Sequence, residues 1–257
     1  MSDVEFYEFR RGTVAWRYTS RRKPLVYQGQ TYASASIKRG EIAQTQDLSR
    51  NVLDLTVPLD LPVLQQFQPA APLAKISVLL RVLPANETVA RGIWGGKLAS
   101  VEDNTHRAII HCLPPSAGAS TAGLSECWQK PCRHVLYGPG CKASREAVRV
   151  DATLTSVGAT TVQGAAFAAK PDGWFAGGYI TWTTSTGLVE LRWVITHVGD
   201  MLTLLTPSLV AVGTTVAAYP GCNHTASDCD TKHHNILNYG GQLYIPEKGA
   251  QNNNPGF

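Results

Sequence analysis

Alternation of apolar and polar residues with a period of two constrains the fold of this chain more than any other feature. The pattern is clear at positions 14–18, 53–57 and 76–82, and it returns at 148–154 and 189–195. Such a period is typical of β-strands that bury one face. About six short strands at regular spacing in the second half are typical of a small antiparallel barrel or sandwich. The predicted fold class is therefore all-β.

Turn residues and one helix signal punctuate the predicted strands. Gln28-Gly29-Gln30 lies between two short apolar runs and predicts a tight hairpin. One short helix is predicted over 61–67, with Asp60 as its N-cap and Pro62 early in its first turn. The stretch 113–130 is rich in Pro, Ser, Gly and Ala, which favours a linker.

These signals predict two small β-barrel or β-sandwich domains in tandem. The first is expected over 1–115 and the second over 148–219. Between them, 116–147 is interpreted as a linker, and 220–257 as a C-terminal loop and tail.

Charge is sparse in this chain of 257 residues, since Asp, Glu, Lys and Arg make up only 16%. An average soluble protein has about 25% charged residues. The low fraction predicts either that much of the surface lies against other protein, or that the chain is a monomer whose β-sheet surface is covered by Thr, Ser and Gln. The net charge of +4 comes without a Lys/Arg stripe, which argues against sequence-specific nucleic-acid binding. No apolar run reaches the ~20 residues of a membrane span, and the acidic N-terminal residues do not resemble a secretory signal.

Four cysteines form two pairs that bracket the second predicted domain. Eight residues separate Cys132 from Cys141, and six separate Cys222 from Cys229. Four thiolates suit a soft metal ion or an iron–sulfur cluster. The spacing fits neither the short steps of zinc ribbons nor the common ferredoxin runs. The residues alone thus support a four-Cys site of unknown metal, with buried free thiols or adventitious disulfides as alternatives.

The remaining cysteines and histidines have weaker signals. Cys112 ends a predicted strand and Cys127 lies in the predicted linker, so both are interpreted as structural thiols. His224, His233 and His234 are close to the second cysteine pair and are alternative ligands.

Catalytic signatures are missing from the sequence. It contains no nucleophile elbow, P-loop, dinucleotide fingerprint or His-Glu-x-x-His helix. A peptidase can be assembled on paper from Cys112 or Cys127 with His197 and Asp200, but any chain this rich in Cys and His permits such pairings. The chain is therefore predicted not to be an enzyme.

The cysteine blocks, together with several other segments, resemble the tail-tip hub proteins of long-tailed, non-contractile phages. This family includes the lambda tail tip protein L and the hub of the gene transfer agent. The likeness spans nearly the whole chain and is carried by these segments: Tyr7-Glu8-Phe9-Arg10, Trp16-Arg17-Tyr18-Thr19-Ser20, Gly29-Gln30-Thr31-Tyr32, Ile37-Lys38-Arg39-Gly40-Glu41-Ile42, Leu136-Tyr137-Gly138-Pro139-Gly140-Cys141 and Pro220-Gly221-Cys222. After the last cysteine the family often has Lys-Phe and then Phe-Arg-Gly, where this chain has Lys232-His233 and Tyr239-Gly240-Gly241.

The resemblance implies a structural virion protein of a siphophage tail tip or baseplate, made in the host cytoplasm. It implies a trimeric hub ring that closes the distal tail tube and contacts the distal tail protein, the tape measure protein and the central fibre or receptor-binding assembly. It also implies that Cys132, Cys141, Cys222 and Cys229 ligate a [4Fe–4S] cluster, with zinc as the competing metal. The alternative is a free-standing metal- or cluster-dependent redox protein or enzyme.

Overall fold

The computed structural model describes residues 3–42, 52–118 and 128–244. Its chain divides into two compact units, each with its own sheet and core. The first unit comprises Met1–Ala122 together with Thr183–Glu190, and the second comprises Gly123–Trp182 and Leu191–Phe257. Both sheets are antiparallel apart from one short parallel pair of strands, so the predicted all-β class is confirmed.

Nine strands form the sheet of the first unit. They are β1 Val4–Arg11, β2 Val14–Thr19, β3 Leu25–Tyr27, β4 Gln30–Ser34, β5 Lys38–Arg39, β6 Leu53–Val57, β7 Ser77–Leu83, β8 Arg91–Asp103 and β9 Ala108–Leu113. Their order across the sheet is β3-β4-β2-β1-β7-β8-β9-β6-β5. One face carries the core, in which Tyr7, Phe9, Leu53, Leu55 and Leu80 are fully buried.

The predicted hairpin at Gln28-Gly29 joins β3 to β4. Both turn residues have positive φ, at 49° for Gln28 and 74° for Gly29. Two successive left-handed residues make the tight turn that matches the twist of a two-stranded hairpin. Glycine is the residue that adopts this conformation without steric cost.

The predicted helix over 61–67 is wrong in its type and its start. The structure has a 3₁₀ helix over Leu64–Phe67, and its N-cap is Val63, which makes no side-chain capping bond, rather than Asp60. Leu61, Val63 and Leu64 are all buried in the core of the first unit. That spacing does not fit the single stripe of an α-helix, and the chain forms i→i+3 bonds instead, such as Leu64 N–H to the Leu61 carbonyl.

Seven strands form the sheet of the second unit. They are β10 Val150–Thr153, β11 Ser156–Val157, β12 Thr161–Gln163, β13 Tyr179–Thr183, β14 Val189–Val198, β15 Met201–Leu204 and β16 Thr215–Tyr219, in the order β10-β16-β13-β14-β15-β12-β11. The two edge strands, β10 and β11, are successive stretches of chain separated by two residues. The sheet therefore curls back on itself like a small barrel around buried Leu154, Phe167 and Phe175.

After β16 the chain forms a short α-helix, α1 Ala226–Thr231, and a 3₁₀ turn over Ile236–Asn238. The interpretation of 220–257 as loop and tail did not include these elements. Within the described ranges, no helix is long and apolar enough to span a membrane. The predicted domain bounds themselves stay predictions.

Candidate metal centre

Two loops and helix α1 of the second unit hold the four predicted ligand residues. Cys132 and Cys141 lie in the loop that precedes β10, Cys222 follows β16, and Cys229 lies in α1. All four are free thiols; Cys141 and Cys229 are buried and the other two are half-buried.

Hydrogen bonds fix the first cysteine loop against the second. The Cys132 N–H donates to the His224 carbonyl at 2.8 Å, and His224 Nδ1 lies 2.9 Å from the Cys132 carbonyl. His224 reaches this position with a left-handed φ of 62°. Its Nδ1 is therefore engaged by backbone, which gives this candidate ligand a structural role at that nitrogen.

Capping interactions fix the start of α1, and the helix that begins there buries Cys229. Thr225 is the N-cap, and its Oγ1 accepts from the Asp228 N–H at 3.2 Å. The Asp228 carboxylate accepts from the Asn223 N–H at 3.0 Å and pairs with Lys232 at 3.2 Å. The Thr225 N–H donates to Asn223 Oδ1 at 3.0 Å, so side chains satisfy the N–H groups of both Thr225 and Asp228 at the helix start. These bonds make a six-residue helix possible where no amphipathic stripe supports one.

Polar hydrogens point at three of the four sulfur atoms. The Gly240 N–H donates to Cys132 Sγ at 3.3 Å, and the His224 N–H donates to Cys222 Sγ at 3.3 Å. Asn235 Nδ2 lies 3.6 Å from Cys141 Sγ. Donors aimed at sulfur stabilise its ionised form, and hydrogen bonds to cysteine sulfur are among the features that tune iron–sulfur sites.

The thiols influence one another electrostatically. Burial, with smaller contributions from the neighbouring Cys141, Cys222 and Cys132, raises the pKa of Cys229 to about 11. Burial also raises the pKa of Cys222, to which Cys132 and Cys141 add, while the His224 N–H lowers it. At Cys222 and Cys229, burial and the neighbouring sulfurs favour the neutral thiol unless a cation balances the charge.

Glycines at two points allow His134 to pack beside the first cysteine. A Cβ on Gly240 would lie 2.7 Å from the His134 ring, and one on Gly140 would lie 2.9 Å from it. His134 Nδ1 lies 3.1 Å from the Asn238 carbonyl. The Tyr239-Gly240 sequence, one of the departures from the family pattern, thus has a local packing reason in this chain.

Among the described residues, no three or more His, Cys, Asp or Glu side chains are gathered in the arrangement of a formed metal site. The assignment of Cys132, Cys141, Cys222 and Cys229 as ligands stays a prediction. His233 is buried, with Nε2 3.2 Å from the Gly221 carbonyl, and burial lowers its pKa.

The other residues singled out in the sequence have structural surroundings. Cys112 is fully buried in the first unit, and burial raises the pKa of its thiol to about 12, so it is a weak nucleophile at neutral pH. His197 Nε2 lies 2.9 Å from the Gly199 carbonyl. Cys127 lies outside the described residues.

A groove of about 540 Å³ runs beside Cys222 and includes Asp172, Trp174 and Asp228 in its lining. Both carboxylates already accept hydrogen bonds from backbone, Asp172 from the Gly199 N–H at 2.7 Å and Asp228 as described above. Their geometry is that of loop-fixing groups.

Sequence reasoning missed Asn235, Thr225 and Gly240, which hold the cysteine loops together. Thr225 and Asp228 had a recognisable signal, the Thr-x-x-acid spacing of a capping box. A lone Asn or Gly in a loop had none.

One family model and one curated protein match parts of this chain. A family model described as "Phage conserved hypothetical protein BR0599" matches residues 173–249, which include Cys222 and Cys229. An uncharacterized protein of Xylella fastidiosa (strain 9a5c) is 26% identical over 162 residues, or 57% of this chain. The chain spans about a third (34%) of the length of that curated relative.

Among solved structures, a chain from the "Virion of native gene transfer agent (GTA) particle" superimposes with a TM-score of 0.79. The match covers 96% of this chain and 89% of that chain, at 18% sequence identity. The two chains therefore share a fold, and the expected likeness to a gene transfer agent protein is confirmed at that level. Likeness to the lambda tail tip protein L stays a prediction.

Proposed function

We propose that this chain is a structural subunit of a phage-like tail tip, where it forms part of the hub that closes the distal end of the tail tube. The observation that carries the proposal is the shared fold, over 96% of the chain, with a chain from a gene transfer agent virion. The match of a phage family model to residues 173–249 supports the same assignment.

In this role the chain assembles with copies of itself, three by family resemblance, and has no enzymatic activity. Its neighbours are the distal tail protein, the tape measure protein and the central fibre assembly. Exposed apolar side chains on the outer face of the second sheet support a role in assembly. Trp193 is 45% and Leu205 is 59% exposed, and the Leu205 N–H donates to the Trp193 carbonyl, which makes the two residues neighbours. Apolar patches of this kind mark contact surfaces.

Localisation in purified particles tests the hub assignment. Particles from cells that express an epitope-tagged chain should bind immunogold at the distal end of the tail, and mass spectrometry should recover the chain from them. Purified particles that lack the chain, or gold along the tube or head instead, would overturn the assignment.

We further propose that Cys132, Cys141, Cys222 and Cys229 hold a [4Fe–4S] cluster in this subunit. Support comes from the free state of all four thiols, from their mutual electrostatic influence and from the donors aimed at three of the sulfurs. The donor set of four thiolates suits such a cluster. Zinc remains the competing occupant because it also accepts four cysteines.

A group bound by all four cysteines would tie the two cysteine loops together across the roughly 80 residues that separate Cys141 from Cys222. That constraint stabilises the second unit by restricting the unfolded chain. Cys132→Ser and Cys229→Ser should each lose the bound metal and destabilise the second unit, whereas Cys112→Ser should retain the metal. Full metal retention in Cys132→Ser would overturn the ligand assignment.

A further inference from the structure

One carboxylate is surrounded by three arginines on the outer face of the first sheet. Glu8 in β1 lies directly opposite Arg17 in β2, while its strand neighbour Phe6 lies opposite Arg81 in β7. Arg10 follows Glu8 two positions along the strand and shares its face. This cluster is part of the first unit and lies outside the cysteine site.

Arg10 forms hydrogen bonds with one carboxylate oxygen of Glu8, whereas Arg17 and Arg81 lie too far from the other oxygen to bond it. Arg10 Nη2 and Nε lie 2.6 and 3.1 Å from Glu8 Oε1. Arg17 Nε is 3.6 Å and Arg81 Nη1 is 3.8 Å from Oε2, both beyond hydrogen-bond distance. The Tyr32 hydroxyl lies between Oε2 and Arg81 Nη1, since it donates to Oε2 at 3.4 Å and accepts from Arg81 Nη1 at 3.4 Å. Arg17 Nε is shielded from solvent and has no hydrogen-bond partner among the described residues. A shielded donor without a partner calls for an explanation such as a bound ligand.

Positive charge exceeds negative charge on this face. Lys97 in β8 lies opposite Ser77, which in turn lies opposite Arg10, so Lys97 joins the same side of the sheet. Burial raises the pKa of Glu8, but the hydrogen bond from Arg10 and the charges of Arg17, Arg10 and Arg81 outweigh burial and leave it lowered. Glu8 is therefore ionised at neutral pH and still leaves the cluster cationic.

We propose that this arginine cluster, defined as Arg10, Arg17 and Arg81 around Glu8, binds a carboxylate-bearing segment of a partner protein. Carboxylate oxygens match the planar donor fork of a guanidinium group. They would supply the acceptor that, within the described part of the chain, Arg17 Nε lacks, and a charged acceptor for Arg81, whose Nη1 donates to the neutral Tyr32 hydroxyl and not to Glu8. The side chains of Arg17 and Arg81 are 22% and 30% exposed, so a ligand can reach them while they stay held in place. A nucleic acid fits less well because its binding relies on several phosphate contacts spread along a backbone, and this cluster is compact.

A fluorescein-labelled hexaglutamate peptide, titrated with the full chain and followed by fluorescence anisotropy, tests the proposal. Binding should weaken as salt is added. Arg17→Gln and Arg81→Gln should each weaken it about fivefold or more, because charge-assisted bonds are lost. Glu8→Gln should strengthen it about threefold or more, because that change removes the internal competitor for the same arginines.

Arg22→Gln is the matched control, since it removes the same charge from an exposed turn of the same unit. It should change affinity less than about twofold, as expected for a screened surface charge. Equal losses in Arg22→Gln and Arg17→Gln would overturn the proposal in favour of diffuse attraction, and so would a lack of peptide binding. A single-stranded DNA 12-mer that binds more tightly and depends on Arg17 would overturn the protein-partner assignment. Circular dichroism shows whether each variant is folded. If Glu8→Gln does not fold, the proposal is tested by comparing the peptide affinities of Arg17→Gln and Arg81→Gln with that of Arg22→Gln.

Discussion

Asn235 joins the two cysteine segments of the second unit and is the most informative residue to substitute there. It is buried, its N–H donates to the Cys229 carbonyl at 2.9 Å, and its carbonyl accepts from the Cys229 thiol at 3.2 Å. Its side-chain Nδ2 donates to the Cys141 carbonyl, and its Oδ1 accepts from Asn238 Nδ2 at 2.7 Å. Asn235 thus links both segments, since its backbone bonds to Cys229 and its side chain to Cys141.

The cost of Asn235→Ala follows from these bonds. Leaving the buried Cys141 carbonyl unpaired costs about 1–3 kcal/mol, and the lost bond to Asn238 adds about 0.5–1.5 kcal/mol. We expect a loss of about 3 kcal/mol in the stability of the cysteine segments. Asn238→Ala removes only the second bond at a half-buried site and should cost about 1 kcal/mol.

Hydrogen exchange followed by mass spectrometry measures this difference in the full chain. In Asn235→Ala, peptides that cover 132–141 and 226–238 should exchange about 100-fold faster, since each 1.4 kcal/mol changes the opening equilibrium tenfold. Peptides from the first unit should exchange at the original rate. The reasoning fails if Asn235→Ala exchanges no faster than Asn238→Ala.

Three further predictions concern single positions. The hydrogen bond to Asp54, together with the charges of Asp54 and Glu102, raises the pKa of His111 against the effect of burial. The raised folded-state pKa should give less than about 1 kcal/mol of stability, which is fully present below about pH 6.5 and is lost as the pH rises through that pKa. His111→Asn should abolish this pH dependence in unfolding titrations. Cys112→Ser, which places a hydroxyl at a fully buried site, should cost the first unit about 1–3 kcal/mol in chemical denaturation, and a cost below 0.5 would contradict the burial argument. Thr225→Ala should speed exchange of the α1 amides about fivefold through loss of the N-cap, while Thr225→Ser, which keeps the hydroxyl, should not; equal rates in the two variants would refute the role of the cap.

Alternation predicted those strands that bury a single face. β6, in which Leu53, Leu55 and Val57 point into the core, is an example. β1 gave no such signal because buried aromatic residues lie on both of its faces. Tyr7 and Phe9 face the core, while Phe6 on the opposite face packs against Tyr32 with ring centroids 4.8 Å apart.

The sequence indicates the four cysteines of the candidate site, but not the residues that hold the cysteine loops in place. Paired cysteines around a predicted β-domain indicate a candidate site, because only cysteine supplies a metal-binding thiolate. Asn235 and Gly240 act through backbone carbonyls, backbone N–H groups and close approach, and these roles arise only once the two loops meet. Helix α1 escaped notice because Cys229 is its one buried residue, so it presents no amphipathic period.

Iron and acid-labile sulfide analysis of anaerobically purified protein, with a visible absorption spectrum, tests the cofactor at the centre of this account. We expect coloured protein with about four iron and four sulfide per chain, as a [4Fe–4S] cluster held by four cysteines requires. Cys112→Ser should give the same values, and Cys229→Ser should give neither iron nor sulfide. Colourless wild-type protein without iron or sulfide, or with one zinc per chain in their place, would contradict the account.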